Sequence, residues 1–230
     1  MAQTLNISYQ VLEYKYVDSL IECIVEAETQ EGSFLSNMRI NKQRLEQVFT
    51  NFLKQEDLQI YNKILIGVDT SNDQVVAFVV GEDLQDVIEE TNQKQEDKVI
   101  DQYCGIQRLA LSEMREQFKL TGQMMIVDSY GVRSRFQELK IGQIILTKYL
   151  DYIETLGYQC LSGLCTSRIC LHICRKLGGK VGKSIHPKDL TCIDQSLCSM
   201  FKENIEIPII YCRKYQIQQQ QQENDQIKNQ

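Results

Sequence analysis

Between Met124 and Gly142 a basic, polar turn joins two apolar segments, and its residue types suit the docking of a phosphate or pyrophosphate. Met124, Met125, Ile126 and Val127 make an apolar run of strand length, and an amphipathic helix begins near Ile141. A strand that feeds a helix N-terminus presents unpaired backbone N–H groups and a positive dipole end. Arg133, Arg135 and Lys140 put positive charge where such an anion would sit. Further along, Cys170 and Cys174 lie one helical turn apart near His172, which raises zinc as an option. Four ligands at a recognisable spacing are missing, and packing of small hydrophobic thiols is the alternative, so no metal is expected. His172 and His186 are the only histidines, and neither has a nucleophile partner in the sequence.

The elements that must position these residues can be read from periodicity. Ile7 to Lys15 alternates as a strand, and Asp18 stands as N-cap of a helix carrying Leu20, Ile21, Ile24 and Val25. That helix ends near Thr29 to Gly32, and a second helix covers Lys42 to Lys54. Ile60 to Val68 and Gln74 to Val80 read as a hairpin through the Ser71-Asn72-Asp73 turn. Within a polar insertion over 82–104, Glu82 to Lys98 is charge-rich and is expected to be a loop that has room for a short helix, before a helix over Ile106 to Phe118. Gly122 opens the next strand. The helix from Ile141 to Leu156 shows Ile144, Ile145, Tyr149, Tyr152, Ile153 and Leu156 on one side, and Gly157 stops it. A strand over Tyr158 to Leu164 and a helix over Ser167 to Leu177 follow. Ile205, Ile207, Ile209 and Tyr211 alternate strictly, with Pro208 implying an edge or a bulge. The Gln-rich stretch 216–230 is low-complexity and is expected to be disordered.

Bulk composition narrows the class. The chain has 230 residues, 43% hydrophobic and 24% charged, ordinary values for a globular domain with a real core. A net charge of −6 argues against nucleic acid as a partner and mildly favours a cationic substrate. No apolar run reaches the roughly 20 residues of a spanning helix, and the N-terminus shows no signal segment. Nine cysteines, an odd number without a secretion signal, read as reduced thiols. A soluble, cytoplasmic protein is therefore expected, a monomer or weak homodimer.

With those residues in view, Val132-x-x-x-Phe136-Gln137-x-x-Lys140-Ile141-Gly142 resembles the acetyl-coenzyme A motif of the GCN5-related N-acetyltransferases. That motif reads Arg or Gln, two residues, Gly, any residue, then Gly or Ala. Gln137 matches its first position and Gly142 its last, while Lys140 stands where the first glycine is usual. Arg175-Lys176-Leu177-Gly178-Gly179 is similar to the family's closing Glu-Lys-Leu-Gly-Phe element, with Gly179 in place of phenylalanine. The spacing from Cys165-Thr166-Ser167 through Cys170 to Leu177-Gly178, and on to Asp189, is most similar to the arylalkylamine (dopamine-type) branch. There a Cys-Ser-Ser-x-x-Ser stretch precedes the same helix. The resemblance is good from about Met124 to Leu190, weaker from Ile7 to Val80, and does not cover Glu82 to Lys119 or the tail.

What the resemblance implies is an α/β fold: a single GNAT-like domain over 1–215, a mixed central β-sheet with a splayed strand pair, flanked by helices. It implies acetyl-coenzyme A as co-substrate, no metal, and a small-molecule primary amine, an arylalkylamine being one form, as acceptor. Val132, at the edge of the splayed strand, would hydrogen-bond pantetheine, and Gln137, Glu138, Leu139, Lys140, Ile141 and Gly142 would hold the pyrophosphate. Lys140 would either help neutralise phosphate or obstruct the loop, since a non-glycine residue in a left-handed conformation costs about 1–2 kcal/mol. Glu31 matches the branch's general base by position, with Glu28 second. The branch's serines map to Thr166, Ser167 and Cys170, and the tyrosine acid of other branches maps to Cys174. The alternative is a catalytically silent member that binds coenzyme A as a sensor or serves as a protein scaffold.

Overall fold

The structure, a computed structural model, describes residues 6–30, 33–54, 58–93, 97–118, 124–200 and 207–213. The first half runs β1 (Ile7–Val11), α1 (Val17–Glu28), α2 (Phe34–Asn37), α3 (Lys42–Leu53), α4 (Leu58–Tyr61), β2 (Ile64–Asp69) and β3 (Gln74–Asp83). Next come α5 (Leu84–Thr91), α6 (Lys98–Phe118), β4 (Met124–Val132), α7 (Ile141–Thr155) and β5 (Cys160–Leu164). The chain continues through α8 (Arg168–Lys176), β6 (Lys180–Ile185), α9 (Gln195–Met200) and β7 (Ile207–Arg213). Its described residues pack as two compact units, one of those up to Glu82 with Val127–Tyr152, the other of those in Asp83–Ile126 and from Ile153 on.

In the first unit the strands lie in the order β1-β2-β3-β4. β2 is antiparallel to both β1 and β3, with Ile7 opposite Asp69 and Ile66 opposite Phe78. Every residue of β2 is buried, and so is β3 from Val75 to Gly81. Their sequences are continuous apolar runs without alternation, the pattern of strands covered on both faces. Leu20 and Ile24 of α1, Leu45, Phe49 and Leu53 of α3, and Ile64, Ile66 and Phe78 share one core. Each such side chain stabilises the fold by about 1.5–3 kcal/mol relative to exposure.

Several boundaries differ from the sequence reading. The first strand stops at Val11, because Tyr14–Tyr16 coil into a 3-10 turn whose Tyr16 hydroxyl donates to Asp73 at 2.8 Å. Asp18 is not the cap of α1: it lies in the first turn, where a carboxylate suits the positive helix end, and pairs with Lys54 at 2.7 Å. The strand placed from Ile60 begins at Ile64, since Leu58–Tyr61 form a helical turn whose Tyr61 hydroxyl donates to the Leu53 carbonyl at 2.7 Å. The hairpin turn is as read, with Asp73 in the left-handed region at φ 57° and the Asp69 carboxylate accepting from the Ser71 N–H at 3.0 Å.

α7 spans the range read from the sequence, and Gly157, at φ 90°, ends it. Its buried side is Ile141, Ile145, Leu146, Tyr149, Leu150 and Ile153, whereas Ile144 and Leu156 are exposed. The true stripe is rotated by about one residue because adjacent apolar positions in Ile141-Gly-Gln-Ile-Ile-Leu admit two faces.

In the second unit β7 lies between β5 and β6 and is antiparallel to both. Pro208 is therefore not on an edge strand. It faces Ser184 beside a bulge in β6 between Val181 and Ser184, the other option its presence implied. The polar insertion 82–104 holds the short helix α5 that the sequence allowed and, against the sequence reading, the first turns of α6. Asp83 caps α5 by accepting from the Gln85 N–H at 2.8 Å, and Leu84, Val87 and Thr91 form a narrow buried stripe. α6 starts at Lys98, well before Ile106, with Asp97 accepting from Val99 N–H at 2.8 Å and Ile100 N–H at 3.1 Å. β6 was not anticipated, because Lys180 to Ser184 carries little apolar signal. Ile205, Gly122 and the tail lie outside the described residues. Among the described residues, no helix is long and apolar enough to cross a membrane.

One close approach sets how α1 sits on the sheet of the first unit. A Cβ built at Gly131 of β4 would lie 2.7 Å from the Ala27 Cβ and 2.8 Å from the Phe78 Cζ. Gly131→Ala is accordingly expected to destabilise by about 1–3 kcal/mol through overpacking, a fall of several degrees in Tm. An unchanged Tm in thermal unfolding would mean that α1 and β4 are not in this contact.

Candidate functional site

The loop from β4 to α7 is built by backbone conformation. Glu138 and Lys140 both adopt left-handed φ, 67° and 60°. The Lys140 carbonyl accepts the first helical bond of α7, from the Ile144 N–H at 3.0 Å. The N–H groups of Ile141, Gly142 and Gln143 precede that bond and have no acceptor within the helix, as in the first turn of any α-helix. Gln137, Glu138, Leu139 and Lys140 are all exposed, so this positive helix end opens to solvent. The left-handed conformation of Lys140 carries a cost of about 1–2 kcal/mol in the loop. At Gly142 a Cβ would lie 2.5 Å from the Tyr130 hydroxyl, so a larger residue there would have to displace the end of that side chain.

Arg133 does not face this opening, contrary to the sequence reading. Its guanidinium is turned back into the first unit with only 11% of the side chain exposed. It donates to the Val75 carbonyl at 2.7 Å, the Ser19 carbonyl at 3.2 Å, Glu26 at 3.2 Å and Glu22 at 3.3 Å. Glu26 also accepts from the Ser134 N–H at 2.8 Å. Burial alone would raise the Glu26 pKa, but the Ser134 and Arg133 donors outweigh it and hold this carboxyl below its ordinary value. A second tie runs from Gln137, which donates to Gln30 at 2.6 Å, while Gln30 donates to Ser134 at 3.0 Å. Arg135 donates to Gln74 at 3.0 Å and stacks 4.7 Å from the Phe136 ring. The C-terminal end of α1 thus clamps the base of the loop.

Among the described residues, the same helix end supplies the most perturbed carboxylate of the first unit. Glu28, the last residue of α1, is half-buried and accepts from the Ser129 hydroxyl of β4 at 2.8 Å. Desolvation dominates and pushes its pKa up to about 7, with the Ser129 donor opposing and the charge of Asp128 adding to the rise. A carboxyl poised near neutrality is suited to general-base work. Glu31 lies outside the described residues. Ser129 had no sequence signal at all, because a lone serine in an apolar strand is silent until its partner is known.

Thr166 and Cys170 belong to the second unit. Thr166 is half-buried in the turn after β5, and Cys170 is half-buried in the first turn of α8. Ser167 is committed to capping, its hydroxyl oxygen accepting from the Cys170 N–H at 3.1 Å. Cys174 is 8% exposed and faces inward on the same helix. The sequence reading missed that Cys165 joins them, its sulfur 3.3 Å from that of Cys170 and 3.7 Å from that of Cys174. Within this group, hydrogen bonds raise the pKa of Cys165, and the bond from Cys165 lowers that of Cys174. His172 is exposed, and the His186 N–H donates to Asp189 at 2.9 Å in a cap of the following turn.

No family model matches the sequence, and no curated protein matches it at a significant level. Solved structures do match in shape. The C-terminal condensation domain of Ebony, in complex with beta-alanyl-dopamine, superposes with a TM-score of 0.75 at 9% identity, covering 91% of this chain and 100% of that one. Arylalkylamine N-acetyltransferase 2 from Aedes aegypti gives 0.69 at 15% identity, over 90% and 99% of the two chains. An acetyltransferase from Salmonella typhimurium with its cofactor acetyl-CoA gives 0.52 at 9% identity, over 90% and 94%. This chain has the α/β fold of the GCN5-related N-acetyltransferases, the arylalkylamine N-acetyltransferases among them.

Proposed function

We propose that this protein transfers an acetyl group from acetyl-coenzyme A to the nitrogen of a small amine. The observation that carries the reading is Glu28, a carboxyl with a pKa near 7 held by Ser129 on the strand that leads into the anion-binding loop. The donor set fits the co-substrate: the open N–H groups of Ile141, Gly142 and Gln143 and the Lys140 cation suit a pyrophosphate. The exposed loop residues Gln137, Glu138 and Leu139 would frame it, and Val132 at the end of β4 would meet the pantetheine arm. Bound there, acetyl-coenzyme A would supply an activated acyl thioester.

The chain's own groups then do the proton work. Glu28, rather than Glu31, takes the proton from the ammonium form of the acceptor and frees its lone pair to attack the thioester carbon. A C–N bond forms, the C–S bond breaks, and the proton that the attacking nitrogen sheds passes through solvent to the departing thiolate. Asp128 beside Glu28 adds negative potential that favours a cationic acceptor. An arylalkylamine acceptor is supported by the matched Aedes enzyme and by the beta-alanyl-dopamine held by the Ebony domain. The free cysteines among the described residues accord with a reducing, cytoplasmic setting.

Thermal-shift titration tests the co-substrate. At 100 times its Kd, acetyl-coenzyme A should stabilise the fold by about 2.7 kcal/mol, roughly 5–10 °C for a chain of this size, with adenosine 3′,5′-bisphosphate giving a smaller rise. No shift at millimolar acetyl-coenzyme A would exclude transfer and leave the scaffold alternative.

Glu28 gives two linked expectations with opposite signs. The kcat/KM for an amine should rise with pH to a plateau, with an apparent pKa near 7. Glu28→Gln should lower kcat/KM by roughly 10²–10⁴ and remove that limb. In stability, a pKa raised from 4.5 to about 7 favours the protonated folded form, so its contribution is full below about 4.5 and lost as pH rises to 7. Glu28→Gln, neutral throughout, should therefore raise Tm relative to wild type at pH 8, with the gap closing towards pH 5. Equal Tm differences at both pH values would show that Glu28 is not perturbed.

A further inference from the structure

Just beyond the end of β5, three thiols converge outside the machinery of the first unit. The sulfurs of Cys165, Cys170 and Cys174 all lie within 4.8 Å of one another, that of Cys165 standing 3.3 Å from Cys170 and 3.7 Å from Cys174. Chain geometry brings them there. Cys165 is the first residue after β5, Ser167 caps α8 through the Cys170 N–H, and Cys170 and Cys174 share one helix face at i, i+4. Cys165 and Cys174 are 4% and 8% exposed, while half-buried Cys170 leaves a route for a small ion.

We propose that Cys165, Cys170 and Cys174 form a thiolate site for a single thiophilic metal ion of the copper(I) or zinc(II) class. Packing alone does not call for this arrangement, because valine or leucine would fill the same space with more transfer free energy. Sulfurs around one ion at about 2.3 Å stand roughly 3.8–4.0 Å apart, so the group needs to open by only a few tenths of an ångström from the 3.3 and 3.7 Å separations to hold one. Thiolates select these soft ions over magnesium or calcium. Three sulfurs complete a trigonal copper(I) site, whereas zinc(II) would add a water as fourth ligand on the Cys170 side. Among the described residues, no histidine or carboxylate joins the group. On binding, each S–H gives way to a sulfur–metal bond and its proton passes to solvent, up to three protons per ion.

The test is an anaerobic titration of the reduced, metal-free full chain, in one arm with copper(I) from a chromophoric chelate and in the other with zinc(II), reading stoichiometry and proton release. One equivalent of at least one ion should bind, equally in wild type and in Cys192→Ser, whose thiol lies outside the group. Cys170→Ser and Cys165→Ser should weaken binding at least tenfold with unchanged circular dichroism. The arm that binds identifies the ion. Failure of wild type to take up either ion at 1:1, whatever the stability of the variants, would overturn the site, as would wild-type affinity in a folded Cys170→Ser. The readout does not involve acetyl-coenzyme A, so a protein that binds the thioester but no metal refutes this proposal alone.

Discussion

The bonds of Arg133 hold the candidate site of the first unit in place. Its guanidinium reaches two backbone carbonyls, on Ser19 and Val75, and two carboxylates, on Glu22 and Glu26, with 11% of the side chain exposed. The pair with Glu22, whose side chain is 68% exposed, adds little in high dielectric. The bond to Glu26, 36% exposed, and those to the carbonyls matter more, because losing them would leave a largely buried charge unpaired. They fix α1, β3 and the exit of β4 against one another. Where the chain leaves β4 then decides where the left-handed loop turns and where α7 begins.

Helix α1 shows how one residue type serves different ends by environment. Glu22 and Glu26, four residues apart on one face, answer the Arg133 charge, and Glu26 is held in its ionised form. Glu28 is only two residues further on, yet it turns to Ser129 and loses water without gaining a cation, so its pKa rises. Carboxyls driven apart in this way are the usual mark of assigned acid and base roles. The strain at Lys140 belongs to the same economy. It persists because the surrounding contacts over-determine the loop, through Ser134 and Gln137 bound to α1.

Much of this was legible in the sequence, and what was not had physical reasons. The continuous apolar runs of β2 and β3, the stop at Gly157 and the helix starting near Ser167 are local signals and were read directly. The strand–turn–helix context of Gln137 and Gly142 led to the correct fold. Arg133 misled, because a cation near an anion site is indistinguishable in sequence from one that pairs with a helix more than a hundred positions earlier. The raised pKa of Glu28 was equally invisible, because the burial that causes it comes from long-range packing that no local pattern shows. The bounds of α5 were blurred by a polar composition whose buried stripe is only Leu84, Val87 and Thr91. Cys165 was overlooked because its five-residue offset from Cys170 crosses a strand end and a turn, where periodicity has no meaning.

The central claim is that the helix end at Ile141 receives the phosphates of the thioester co-substrate while the end of α1 presents the base. Backbone amide chemical shifts of the ¹⁵N-labelled protein, followed as coenzyme A is added, address it most directly. The account predicts that the largest changes fall on Glu138 to Gln143, with smaller ones at Glu28 and Ser129. Saturable binding that leaves those amides unmoved and shifts a separate surface instead would contradict it.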